Sequence, residues 1–258
     1  MPITIDQRRA ASHIARAMFF QTDLFLPRYR EIASGDWHLK IGRNVMAQGY
    51  WSSAVLVAEM PILTRGRDVW MSMTPLEIES AEIGIRLARG HVLVMGLGLG
   101  WAAAATAMRD EVTAVTIVER DSDVLALHAE LDLFSQLPDA ARAKLRIIEG
   151  DADTWVPDAP VDLLMPDIWL PLINDGRVDE VRAMQANIGA QAVYFWGQEL
   201  EIARHARAAG REIDAEGIAA TIAGFALPLT GSEWPNYPAL VTAAATRWMR
   251  GRWLAADQ

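Results

Sequence analysis

A short glycine-rich segment constrains the fold of this chain more than any other feature. Residues 92–100 read VLVMGLGLG, and the alanine-rich stretch and second apolar run that follow end at the carboxylate of Glu119. This is the order of a buried strand, a glycine turn, a helix and a second strand, as in a doubly wound α/β fold. The glycines of the turn are Gly96, Gly98 and Gly100. In such folds the turn and an acid about 20 residues further on lie at the same edge of the sheet.

The glycine spacing and the acid together predict a nucleoside ligand. Glycines let a ligand approach the backbone, and a carboxylate such as Glu119 can accept hydrogen bonds from both ribose hydroxyls. Asp121, two residues on, is expected to cap the next helix. A dinucleotide fingerprint would need a third glycine at the position of Trp101. The sequence therefore favours S-adenosylmethionine over NAD.

Beyond the glycine turn, apolar runs and helical patterns alternate, which is typical of a parallel sheet covered on both faces. Thr74, Pro75 and Glu77 predict the start of a helix before the first strand, because they match an N-cap, a first-turn proline and a third-position acid. Three further helices are expected after Trp196. The strands are predicted at 91–96, 112–118, 145–148, 161–165 and 192–195. The predicted fold class is a Rossmann-like, doubly wound, mostly parallel α/β sheet.

The first part of the chain has a different pattern. Residues 1 to about 34 have helical periodicity, and residues 37–73 contain short β-like pieces between turn residues, which predicts a β-hairpin. We therefore expect two units. An N-terminal helical and β-hairpin appendage covers 1–73, and an S-adenosylmethionine-binding domain with a helical C-terminal cover spans 74–258.

Composition excludes several classes of protein. The net charge is −9 and the cations are not clustered, which argues against a nucleic-acid partner. The chain has no cysteine, so disulfides and thiolate catalysis are excluded. Its longest uncharged run contains the three glycines and reads as strand, turn and helix rather than a membrane span. The histidines are scattered and predict no metal site. With no signal peptide visible, we expect a cytoplasmic protein.

The ends of the later strands supply further candidate site residues, because ligands bind beyond the carboxyl ends of such strands. Asp151 can accept a hydrogen bond from the exocyclic amine of adenine, while the neighbouring amide of Ala152 donates a hydrogen bond to the ring. An ordinary Gly-Asp turn is an equal alternative. Asp167, after Pro166, can orient an amine nucleophile and help take its proton. Trp169 can stack on a cationic group or belong to the core.

Residues 61 to about 170 resemble the class I S-adenosylmethionine-dependent methyltransferases, and within them the spermidine synthase-like branch. The similar segments are PILTRGRD at 61–68, a helix with Glu77, the glycine strand, VTIVERD at 115–121, GDA at 150–152 and DLLMPD at 162–167. The resemblance implies a cofactor site for S-adenosylmethionine and an acceptor site beside it. The cofactor residues would be Gly96, Gly98, Gly100, Glu119 on the ribose, Arg120, and Asp151 with Ala152 at the adenine. The acceptor residues would be Asp167 as the catalytic group, with Glu77 and Trp169 binding substrate.

Three departures argue against a true polyamine synthase. Leu99 stands where that family has an acid, Ile-Trp-Leu-Pro follows Asp167, and a Tyr-His pair is missing before Glu77. We therefore predict methyl transfer to a nitrogen of a small, amine-type acceptor. One alternative is aminopropyl or aminocarboxypropyl transfer or cyclisation, which releases methylthioadenosine. Another is a non-catalytic nucleoside-binding module. A homodimer is also expected.

Overall fold

The first part of the fold is an antiparallel sheet. The structure is a computed structural model that describes residues 19–255. The sheet has four strands in the order β1-β2-β3-β4. They are β1 (Ile32–Ser34), β2 (Trp37–Ala47), β3 (Val55–Arg65) and β4 (Asp68–Ser72). The expected small hairpin is therefore the centre of a larger sheet. The division into units at residue 73 stays a prediction.

The second sheet is parallel, with the strand order β7-β6-β5-β8-β9. Its strands are β5 (Gly90–Met95), β6 (Val112–Glu119), β7 (Leu145–Glu149), β8 (Leu163–Pro166) and β9 (Ala192–Val193). The predicted fold class is confirmed, although β9 is shorter than predicted. Strands β5 and β8 are buried along most or all of their length, because both lie inside the sheet.

Helices flank the parallel sheet. They are α1 (Pro75–Leu87), α2 (Trp101–Ala107), α3 (Ser122–Leu131), α4 (Asp139–Arg142), α5 (Arg177–Ile188), α6 (Gln198–Ala208), α7 (Ala215–Phe225) and α8 (Tyr237–Trp248). The chain moves outward from β5 to β7 in one direction and from β8 to β9 in the other. Because crossovers between parallel strands are right-handed, this reversal puts helices on opposite faces. It also opens a crevice between the carboxyl ends of β5 and β8.

Two helix starts form as predicted. Thr74 caps α1, where its Oγ1 accepts a hydrogen bond from the Glu77 N–H at 3.4 Å. Asp121 caps α3 by accepting from the N–H groups of Asp123 at 3.0 Å and Val124 at 3.4 Å. Both caps satisfy backbone donors that have no partner inside their helix.

The helix predicted over residues 1 to about 34 is wrong for the described residues from 19 onward, and residues 1–18 lie outside the described part. From Phe20 to Glu31 the chain is not helical and crosses the glycine turn. The Trp101 indole donates to the carbonyl of Phe25 at 2.9 Å, and the Tyr29 hydroxyl donates to the carbonyl of Leu99 at 3.0 Å. These tertiary contacts, together with a proline in the segment, override the helical spacing.

The helices after β9 surround a buried carboxylate. Glu199 of α6 is fully buried and accepts hydrogen bonds from the hydroxyls of Tyr50 at 3.2 Å, Tyr194 at 3.0 Å and Tyr237 at 3.1 Å. Burial outweighs these bonds and raises the pKa of Glu199 to about 6. The network ties α6 and α8 to the loop after β2, so the C-terminal region packs into the core.

The capping residue Asp121 also joins the two sheets, since its Oδ2 accepts a hydrogen bond from the Trp37 indole of β2 at 3.0 Å. Asp121→Ala should therefore cost about 2 kcal/mol, combining a cap and a side-chain hydrogen bond at about 1 kcal/mol each. Asp214→Ala is the matched control, because Asp214 caps α7 through the Gly217 N–H. It should cost about 1 kcal/mol. Urea unfolding measures both losses, and equal losses would show that the Trp37 bond adds nothing.

Candidate functional site

The glycine turn after β5 is needed by the fold itself. Gly96, Gly98 and Gly100 have φ values of 97°, 49° and 73°, a region that side chains with a Cβ rarely adopt. A Cβ on Gly96 would lie 2.2 Å from the carbonyl oxygen of Asp167. On Gly98 it would lie 2.4 Å from the Met71 sulfur. These glycines therefore let protein groups approach the turn closely, whether or not a ligand does.

Met71 of β4 lies directly over the turn. Its sulfur accepts a hydrogen bond from the Leu99 N–H at 3.0 Å. Leu99 itself is fully buried, so its side chain contributes to the core rather than to the cleft. A ligand group that uses the same N–H must displace the Met71 thioether, which is a weak acceptor on a flexible side chain.

Glu119, at the end of β6, supports the turn with both carboxylate oxygens. Its Oε2 accepts from the Leu97 N–H at 2.9 Å, and its Oε1 accepts from the Asp121 N–H at 2.9 Å. A carboxylate oxygen has two lone pairs, so one remains on each oxygen for a further donor. The carboxylate is partly exposed to the cleft that it lines. It can therefore hold the turn and accept a diol at the same time.

The end of β7 forms a polar turn. Asp151 Oδ1 accepts from the Asp153 N–H at 2.9 Å, so the Gly-Asp turn proposed as one alternative is present. Its other oxygen lies 3.8 Å from the Arg120 guanidinium in an ion pair that is largely exposed. Ala152 is buried beside them. All three residues line the cleft, so the turn does not exclude a role for Asp151 as a ligand acceptor.

Two carboxyl groups that line the cleft, those of Glu77 and Asp167, are near enough to influence each other electrostatically. Glu77 of α1 is buried, and burial, together with the nearby charge of Asp167, raises its pKa well above the usual value. Burial also raises the pKa of Asp167 to about 7, although the positive charge of Arg177 opposes this shift. Two such neighbours cannot both ionise freely at neutral pH. The pair can therefore hold or accept a proton there.

An aromatic wall stands beside the carboxyl pair. Trp169 and Trp196 line the cleft, and Trp169 stacks on the Arg177 guanidinium, whose central carbon is 3.8 Å from the ring centroid. One face of Trp169 thus already carries a cation, which limits the predicted stacking of a cationic ligand to its other face. The indole Nε1 of Trp196 is buried without a hydrogen bond of ordinary geometry, yet it lies near enough to Glu77 to lower the pKa of that carboxyl.

All of the predicted site residues line one cleft of about 1130 Å³, a volume that includes space open to solvent. They are Glu77, Gly96, Gly98, Gly100, Glu119, Arg120, Asp151, Ala152, Asp167 and Trp169. Their individual roles stay predictions.

Sequence reasoning missed other residues of the cleft. Trp196 follows β9, so inspection of the fifth strand end would have found it. Trp37, Trp70 and Met71 come from the antiparallel sheet, and no local pattern relates that sheet to the cleft. Among the described residues, none beyond Trp196 lines the cleft, so the predicted C-terminal cover stays a prediction.

Neither a metal site nor a membrane span is found in the described part of the chain. Within residues 19–255, no group of three or more histidine, aspartate or glutamate side chains is placed to hold a metal ion. No helix in the same range has the length and apolar character needed to cross a bilayer.

Comparison with known proteins gives a distant structural likeness. No protein-family model and no curated protein matches the chain. The glycopeptide N-methyltransferase MtfA complexed with S-adenosyl-L-homocysteine is 19% identical, over 42% of this chain and 41% of that chain, with a TM-score of 0.32. The DhpI-SAM-HEP complex is 20% identical, over 42% and 45%, with a TM-score of 0.31. The methyltransferase domain of bacterial CtHen1 is 13% identical, over 42% and 58%, with a TM-score of 0.31. This chain spans under half of the MtfA and DhpI chains in these matches, and a likeness of this size carries no argument about its activity.

The contact between Gly96 and Asp167 predicts a specific loss of stability. Gly96→Ala combines an unfavourable φ with a clash against backbone, and overpacking costs about 1–3 kcal/mol. Gly176→Ala is the matched control, because Gly176 has a φ of +83° and nothing within 4 Å of the position that a Cβ would take. The control should lose about 1–2 kcal/mol, the cost of a left-handed conformation. Gly96→Ala should lose at least about 1 kcal/mol more in chemical unfolding. Equal losses would contradict the close approach of the two strand ends.

The raised pKa of Asp167 predicts how stability depends on pH. Between its ordinary value of 3.8 and about 7, the folded state binds more protons at this carboxyl than the unfolded state does. The free energy of unfolding therefore falls as pH rises through this window. Asp167→Asn removes that penalty. The difference in unfolding free energy between this variant and the wild type should therefore shift in favour of the variant by at least about 1.4 kcal/mol from pH 4 to pH 8.5, the equivalent of one pKa unit.

Thermal unfolding of this variant across pH 4–8.5 measures the effect. The exposed Asp110, changed to Asn, is the control and should leave the pH dependence as it is in the wild type. A curve for Asp167→Asn parallel to that of the wild type would contradict the raised pKa.

Proposed function

We propose that this protein is an S-adenosylmethionine-dependent transferase that methylates a nitrogen of a small, amine-type acceptor. One observation carries the proposal. A glycine turn with the Glu119 carboxylate lines one part of the cleft, and the carboxyl pair of half-buried Asp167 and buried Glu77 lines another. The first part suits a nucleoside donor and the second suits an acceptor that must lose a proton.

The residues of the donor end fit the proposed cofactor. Glu119 keeps a free lone pair on each oxygen for the two ribose hydroxyls. Asp151 and the buried Ala152 lie at the next strand end, where the adenine would be recognised. Met71 would move aside, so that the Leu99 N–H becomes available to the polar end of the methionyl group. Arg120 closes this side through its ion pair with Asp151.

The residues of the acceptor end would position the nucleophile and take its proton. When bound, the sulfonium supplies an activated methyl group: the nitrogen–carbon bond forms as the carbon–sulfur bond breaks, and sulfur keeps the electron pair. Asp167 would accept the proton lost by the nitrogen, since a carboxyl with a pKa of about 7 can exchange a proton at neutral pH. Glu77, whose pKa is raised by burial and by the charge of Asp167, would hold the neighbouring position. Trp169 and Trp196 would exclude water and help align the acceptor.

Calorimetric titration tests the donor site. S-adenosylhomocysteine should bind with micromolar affinity and more tightly than methylthioadenosine, while NAD should not bind. Glu119→Gln should weaken binding about tenfold or more, because a hydrogen bond to a charged group contributes about 1.5–3 kcal/mol. The exposed Glu149→Gln, at the end of β7, is the matched control and should bind as the wild type does.

Each other outcome points to a different function. Methylthioadenosine binding as tightly as S-adenosylhomocysteine would favour transfer of the aminopropyl or aminocarboxypropyl group. Binding of NAD alone would overturn the proposal. Once an acceptor is found by screening amines, Asp167→Asn should bind the donor but lose turnover. Unchanged turnover would exclude the proposed role of Asp167.

A further inference from the structure

Arg177 lies behind the acceptor end of the cleft. It is the first residue of α5 and is fully buried, and it is not among the residues that line the cleft. Its Nη1 donates to the carbonyl of Trp196 at 3.0 Å, and its Nη2 donates to the carbonyl of Pro171 at 2.8 Å. Its Nε donates to Asn174 Oδ1 at 2.8 Å. The guanidinium thus joins the loop after β8 to the turn after β9.

The same side chain supports the aromatic wall. Its central carbon lies 3.8 Å from the centroid of Trp169 and 6.0 Å from that of Trp196. Both rings line the cleft, so the cation lies behind them. The Trp169 indole also donates to Glu180 Oε2 at 2.6 Å, one turn further along α5. Two residues of one helix therefore fix Trp169 through its face and its edge.

Arg177 also carries a positive charge near enough to Asp167 to act on it electrostatically. Its charge lowers the pKa of Asp167 against the effect of burial. Burial in turn lowers the pKa of Arg177 to about 10. The groups that oppose this lowering are Glu201 first, then Glu180, Asp167 and Tyr50. The group that faces Asp167 from α1 is Glu77. A buried cation is costly unless its donors are satisfied, and Arg177 donates to two backbone carbonyls and an amide oxygen.

We infer that Arg177 is a positioning residue for the acceptor half of the cleft, where it holds Trp169 and Trp196 as a wall and stabilises the charge of Asp167. The assignment of this half to an acceptor rests on the proposed function. The electrostatic coupling of Arg177 to Asp167 and its hold on the wall can be measured without any substrate.

A double-mutant cycle in thermal unfolding tests the coupling. The variants are Arg177→Met, Asp167→Asn and their combination, each measured at pH 5 and pH 8.5. At pH 8.5, Asp167→Asn should change Tm more favourably in the Arg177→Met background than in the wild type. The difference between the two effects should be about 2 °C or more. The reason is that the Asp167 carboxylate has then lost its neighbouring cation. Equal effects in both backgrounds would overturn the inference.

Arg204 supplies the matched control. It is the other buried arginine among the described residues, and it pairs with Glu201 at 2.9 Å and contacts the carbonyl of Asn174 at 3.2 Å. It is not among the groups that shift the pKa of Asp167. In an Arg204→Met background, Asp167→Asn should have its wild-type effect at both pH values. An enhanced effect there would show general loosening instead of a specific coupling.

Arg177→Lys tests the wall and keeps the experiment decisive if the methionine variant does not fold. Lysine keeps the charge but lacks the planar group that stacks and reaches three acceptors. In protein labelled with 5-fluorotryptophan, the Trp169 and Trp196 resonances are assigned by changing each to Phe. Both should shift or broaden in Arg177→Lys, whereas wild-type resonances would overturn the inference. Binding of S-adenosylhomocysteine, measured in parallel, reports on the proposed function alone.

Discussion

The candidate site depends on one close contact, where the bare Cα of Gly96 meets the carbonyl of Asp167. A Cβ at Gly96 would lie 2.2 Å from that oxygen, so only glycine lets the ends of β5 and β8 converge. These strands flank the point where the strand order reverses, and the crevice forms there because their connections leave in opposite directions. The same contact brings the glycine turn beside the chain that carries Asp167. The turn and Asp167 therefore line the same cleft.

The part of the cleft around Asp167 concentrates charge where a stable core would avoid it. Glu77 and Arg177 are buried, and Asp167, which interacts electrostatically with both, has a raised pKa. Desolvation of charged groups costs free energy that hydrogen bonds only partly offset. Packing alone does not require three such groups around one cleft. Burial and like charge bring a carboxyl pKa towards neutrality, which is the range that the proposed proton transfer would need.

The antiparallel sheet and the segment before it complete the site from outside the parallel sheet. Met71 of β4 covers the turn, and Trp37 of β2 bonds to the cap of α3. Tyr29 and Phe25 attach the N-terminal segment to the turn and to the buried Trp101. Residues of the antiparallel sheet thus form part of the wall of the cleft. The tryptophan that stands in place of a third glycine is buried in the core.

The sequence by itself determined the parallel sheet, the helix caps and the residues at the strand ends. Strand and helix periods, a capping pattern and the glycine turn are local signals, and the rule that ligands bind at strand ends converts them into a site. The tertiary structure alone decided the extended N-terminal segment, the position of Met71 and the burial of Arg177. Each depends on partners distant in sequence, such as the carbonyl of Trp196 for Arg177. The raised pKa of Asp167 belongs with these, since it depends on burial and on charges brought close only by the fold.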